Sequence, residues 1–148
     1  MTRRTQTMQH VSQLADDSAD TAMQELAHKQ QTLTAGEAQL AELHLFQREY
    51  QHGAERGVHS MSELLNRQQF LQRINDAIGF QHRLVEQLRE AVVVQRQVWL
   101  QARNRAKALG GVAQHLQADD DRADERKEQR DADERSLRPN SNKHWDQA

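Results

Sequence analysis

The sequence predicts an all-α fold: a long antiparallel two-helix coiled coil, an α-hairpin whose second helix is longer than its first. Two observations carry this reading. The second half holds a sustained heptad repeat, and a glycine-bearing break separates it from a weaker repeat of the same period in the first half. Composition narrows the architecture further. Hydrophobic residues are 36%, aromatics 4% and charged residues 28% of the 148, too little apolar surface for a rounded core but enough for a narrow seam. An elongated molecule is expected.

The first helix is expected over about residues 8–52. Its seam holds Ala19, Leu26, Leu33 and Leu40 at one heptad position and Ala22, Leu43 and Tyr50 at the other, with Lys29 and Gly36 as interruptions. Met8, Val11, Leu14 and Ala15 extend an apolar face toward the N-terminus, so the start falls between residues 6 and 12. The loop is expected over about residues 53–60, because Gly53 suits the left-handed position that ends a helix. Ser60 and Glu63 then have capping-box spacing, which starts the second helix near Met61.

That helix is expected over about residues 61–135. One seam position is apolar throughout: Leu71, Ile78, Val85, Val92, Trp99, Ala106 and Ala113. Its companion holds Ile74, Leu88, Ala102, Leu109 and Leu116, interrupted only by Gln81 and Gln95. A strict seven-residue period implies a left-handed supercoil with a second helix, and a short connection makes that neighbour antiparallel. Folding about residues 56–60 pairs positions whose numbers sum to about 119, which sets Trp99 opposite Ala19 and Ala22. At about 1.5 Å per residue the second helix spans ~110 Å, and residues beyond about 110 should lack an intramolecular partner. Gly110 and Gly111 cost roughly 2 kcal/mol of helix propensity there, so a hinge or frayed segment is expected. Asp119 to Arg135 is almost wholly charged and can be helical without packing. The hairpin thus occupies residues 1–138, and Pro139 opens a tail, 139–148, expected to be disordered.

Net charge is −2 and pI about 6.4, with charges of both signs interleaved, so neither nucleic acid nor anionic lipid is an expected partner. The absence of cysteine excludes disulfides and thiolate chemistry and fits a reducing compartment. No apolar run follows the basic start as a signal peptide requires, and the longest run, Ala91 to Val94, is far short of the roughly 20 residues that span a bilayer. Direct membrane insertion is not expected. The eight histidines lack zincin spacing, and Asp119, Asp120 and Asp121 point in different directions on a helix, so no metal, cofactor or catalytic residue is expected. The chain reads as a binding protein, not an enzyme.

The informative cluster is aromatic. Phe46, Tyr50, Phe70 and Phe80 lie close to the loop. Gln39, Leu43, Phe46 and Tyr50 step by four, three and four, and Phe70, Ile74, Ala77 and Gln81 do the same on the returning helix. Each stripe covers a seam position and a flank, so part of it must stay exposed. The residues alone leave two readings: a partner site, or side chains that close the end of the seam.

The hairpin with Gln39-Leu40 through Phe46-Gln47-Arg48-Glu49-Tyr50, then Gln68-Gln69-Phe70-Leu71 and Ala77-Ile78, resembles the FliJ family over roughly residues 8–135. The family comprises components of the bacterial flagellar type III export apparatus. The resemblance implies a coiled coil similar to the stalk of rotary ATPases, inserted in a hexameric export ATPase (FliI-like). It also implies contact with the export-gate protein (FlhA-like), escort of export chaperones, and a cytoplasmic location held peripherally at the membrane through the apparatus. The family's gate-binding cluster falls on Gln39, Leu43, Phe46, Tyr50, Phe70, Ile74, Ala77 and Gln81. Phe46 and Gln81 stand where other members carry Tyr and His. The free protein is expected to be a monomer. Two alternatives predict the same helices: a stalk of a virulence type III secretion system and a dimerising structural scaffold.

Overall fold

The computed structural model describes residues 1–54, 57 and 60–138. Two helices account for nearly all of them, α1 (Arg3–Ala54) and α2 (Met61–Leu137). They pack antiparallel as the expected helical hairpin, α2 being the longer at 77 residues against 52. None of the described helices is long and apolar enough to cross a membrane. Contacts divide the chain into two units, Ser18–Arg103 and Met1–Asp17 with Asn104–Ala148.

The unit Ser18–Arg103 contains the seam's most buried apolar side chains. Leu33, Val85 and Val92 are buried, with Leu26, Leu40 and Leu88 packed around them. The two glutamines that interrupt the α2 repeat are buried as well, and the side-chain nitrogen of each makes two hydrogen bonds to α1. Gln81 Nε2 donates to the Gly36 carbonyl at 3.1 Å and to Gln39 Oε1 at 3.3 Å. Two heptads on, Gln95 Nε2 donates to the Ala22 carbonyl and Glu25 Oε2, both at 3.2 Å. These pairs have residue numbers summing to 117 or 120, which brackets the register of about 119 read from the seams. The Gly36 interruption on α1 is explained by the same crossing. A Cβ on Gly36 would stand 3.0 Å from Leu88 Cδ1 and 3.5 Å from Val85 Cγ2, so glycine lets α2 approach closely here.

In the unit built on Met1–Asp17 and Asn104 onward, α1 starts earlier than its apolar pattern suggested. The cause is a cap. The Thr5 amide donates to Thr2 Oγ1 at 3.2 Å and the Gln6 amide to the Thr2 carbonyl at 3.0 Å, satisfying donors that a helix start otherwise leaves open. The Thr2 amide in turn donates to Asp120 Oδ2 at 2.9 Å, and Gln9 Nε2 to Gln117 Oε1 at 3.1 Å. Residues beyond 110 therefore do have an intramolecular partner: Ala113 is buried and Leu116 half-buried. The expected hinge at Gly110 and Gly111 is a continuous part of α2. Its propensity cost is offset by packing of the turns on either side, with Gly110 beside Ser12.

The bend also differs in detail. Gly53 lies within α1, and the positive φ (120°) belongs to Gly57, which has no Cβ to obstruct it. Ser60 caps α2 as its spacing predicts, its Oγ accepting the Glu63 amide at 3.3 Å. The tail expected over residues 139–148 and most of the loop lie outside the described residues.

Candidate partner-binding surface

Numbering the seam positions of α2 a (Val85) and d (Leu88), the positions on one side of it are g, and the antiparallel arrangement sets them against the equivalent flank of α1. This edge carries the aromatic residues. The Phe70 ring meets Phe46 edge-on at 6.1 Å between centroids and Tyr50 at 4.8 Å. Arrangements of this kind contribute roughly 0.5–1.5 kcal/mol beyond area burial, which fixes the three rings as a group. The opposite edge is closed differently, by Arg89 Nε beside Glu37 Oε1 at 3.6 Å.

The eight residues expected at the site divide by burial. Ile74 and Gln81 belong to the seam and are buried; Leu43 and Tyr50 are half-buried; Gln39, Phe46, Phe70 and Ala77 are exposed. Phe46 keeps 46% and Phe70 39% of its surface in water despite their mutual contact. The stripe therefore does both things the sequence left open: its inner members close the seam, and its outer members leave an aromatic ledge. Beside that ledge a shallow groove of about 450 Å³ is lined by Gln39, Glu42, Leu43, Phe46 and Gln81. Gln81 reaches it from α2, so the hydrogen bond to Gln39 forms part of its floor. Gln47 and Asn75 hydrogen-bond across the same end of the hairpin.

Two neighbours of the site lie off the two stripes. Glu42 lines the groove but sits off the four-three-four spacing used to define the stripe. Phe80 is the most exposed aromatic of the described residues, at 65%; its nearness to the loop marks it in the sequence, but its face does not. Tracking positions outside a and d would have flagged both. Among the described residues no group of three or more metal-binding side chains converges.

A family model for the flagellar FliJ protein matches residues 5–144, nearly the whole chain. No curated protein and no solved structure gives a match. The match covers both helices and the aromatic edge between them, and on that basis the chain belongs to the FliJ family, components of the flagellar protein export apparatus.

Proposed function

We propose that this protein is the stalk-like component of the export apparatus, binding the hexameric export ATPase and contacting the export gate while escorting export chaperones. It acts in the cytoplasm and is held at the membrane through these partners. The observation that supports gate contact is the aromatic ledge: Phe46 and Phe70 are partly exposed yet held edge-to-face against each other, beside a groove lined by Gln39, Leu43 and Gln81. Large preorganised aromatics at the edge of a groove lose little side-chain entropy when a partner covers them, which suits them to be interaction hot spots. Ile74 and Gln81 contribute from beneath by holding the register that sets the rings side by side. The ATPase-binding part is assigned to the unit carrying the α1 start and the charged stretch Asp119 to Arg135, where apolar exposure is sparse and charged side chains dominate.

The test separates the two contacts. Phe46→Ala, Tyr50→Ala and Phe70→Ala are made singly, helicity is checked by circular dichroism, and binding to the purified gate cytoplasmic domain and stimulation of the purified ATPase are measured. Gate binding should fall by about tenfold or more for Phe46→Ala and Phe70→Ala, as for typical hot-spot truncations, with ATPase stimulation retained. Unchanged gate binding by these folded variants refutes the assignment.

A further inference from the structure

α2 carries a second apolar seam that α1 does not use. With Val85 as a, the g positions are Ala77, Leu84, Ala91 and Val98, and the c positions Phe80, Gln87 and Val94. Six of these seven are apolar, spaced four and three residues apart like the a/d seam itself. Burial differs sharply between the two seams. Val85 and Val92 keep 1% and 5% of their surface, whereas Phe80 keeps 65%, Val94 57%, Val98 46% and Leu84 36%. The stripe has ends: Arg73 and Gln101 occupy the next c positions, and Arg105 the g position beyond Val98. A helix with adjacent a/d and c/g seams is built to sit between two helical neighbours, and among the described residues α1 is the one neighbour.

The g edge of α2 faces a known flank of α1, because Gln81 and Gln95 reach over to Gln39 and Glu25 there. A helix laid against the c/g stripe would therefore rest in a trough whose rims are α1 on one side and the f positions of α2 on the other. Along the length of the stripe the rims carry Glu25, Glu42, Asp76 and Glu90, against Arg83 and His28. None of the four carboxylates is in an ion pair among the described residues. A second copy of this chain would bring acidic rim to acidic rim. A helix with Lys or Arg beside its seam would meet complementary charge.

We infer that the c/g stripe from Ala77 to Val98 is a docking site for an amphipathic helix of a partner protein, about three heptads long, with aliphatic seam residues and basic flanks. The bound state is a local three-helix bundle. This surface uses neither Phe46 nor Phe70 and shares with the gate surface only Ala77 and the Glu42 rim, so the aromatic contact can be lost without it.

The probe is a fluorescein-labelled synthetic peptide of about four heptads with Ile and Leu at its seam and Lys on both flanks, titrated with full-length protein and read by anisotropy. A peptide with the same seam and Glu flanks is the control. The Lys peptide should bind at least about tenfold more tightly than the Glu peptide, and Phe80→Ser/Val94→Ser should weaken it by a similar factor. Glu42→Lys/Glu90→Lys, which leaves the apolar stripe intact, should reverse the preference between peptides. Phe46→Ala should leave binding unchanged. Equal binding of both peptides, undiminished binding by Phe80→Ser/Val94→Ser, or wild-type dimerisation that Val94→Ser abolishes would each overturn the inference, the last by making a second copy the occupant.

Discussion

Leucine at both buried glutamine positions, Gln81→Leu with Gln95→Leu, should make the protein more stable and less precise. Each glutamine is almost fully buried, at 8% and 5% exposure, and makes two hydrogen bonds to α1. At a net ~1 kcal/mol per bond these contribute about 2 kcal/mol per site, of which about 1 is lost to ordering a glutamine in place of a leucine. A buried leucine supplies roughly 1.5–3 kcal/mol through apolar burial. The acceptors left behind are not orphaned. Gly36 and Ala22 carbonyls lie inside α1, where the helix ladder already bonds them, and Gln39 and Glu25 are exposed to water. The balance is a gain of about 1 kcal/mol per site, or ~2 for the pair, which moves a urea midpoint upward by about 1 M at an m-value near 2 kcal/mol/M. Register is the quantity that should suffer, because a glutamine finds its acceptors in one alignment while a leucine accepts any apolar layer. The chain has no cysteine, so spin labels at the exposed positions Gln24→Cys and Gln97→Cys report the alignment directly. The double leucine variant should broaden or split their distance distribution. A lower midpoint would show that the hydrogen bonds outweigh apolar burial; an unaltered single distance would refute the glutamines as register determinants.

Gly111→Ala has open space around its added methyl and should stabilise by about 0.8–1 kcal/mol in a urea melt, whereas Gly36→Leu should destabilise by roughly 1–3 kcal/mol because Leu88 and Val85 already crowd that Cβ. Asp120 should titrate below its ordinary 3.8, since the Thr2 amide and then the Thr5 hydroxyl hold its carboxylate ionised, helped by the Thr2 hydroxyl and the N-terminal charge against slight burial. A depressed folded pKa means the clasp is at full strength above the unfolded value and is lost as pH falls through the lower, folded one. Carboxyl NMR titration of Asp120, with amide exchange at Thr5 and Gln6, checks this: exchange should quicken only in that acid range, and Asp120→Asn should abolish the pH dependence.

What the sequence made legible was the part with a period. Seven apolar a residues on α2 and the weaker repeat of the same period on α1 determine partner and direction and give the register approximately; the buried glutamines fix it. Features resting on single residues were harder to read. Thr2 caps α1 without the glutamate of a capping box, so nothing in Thr2-Arg3-Arg4-Thr5 marked a helix start ahead of the apolar residues. With α1 starting at Arg3 rather than at its first apolar residues, α2 beyond residue 110 gains a partner, and Ala113 and Leu116, which keep to the heptad, are the sequence sign of it. The aromatic stripes were visible as spacing. Which members would be exposed was not, since exposure depends on how Phe70 fits between Phe46 and Tyr50.

The glutamines tie this folding detail to the surface. Sliding α1 by one heptad along α2 keeps apolar layers facing apolar layers over most of the seam, so burial alone discriminates weakly between alignments. The same slide carries Phe46 about 10 Å past Phe70 at 1.5 Å per residue, beyond any ring contact, and dismantles the groove between Leu43 and Gln81. A binding surface assembled from two helices thus needs an alignment more exact than stability requires. Polar residues at Gln81 and Gln95, each costing stability relative to leucine, supply it. The test is therefore sharper when both assays are run on one variant: Gln81→Leu/Gln95→Leu should gain stability and weaken gate binding together, an outcome that loss of folding cannot produce.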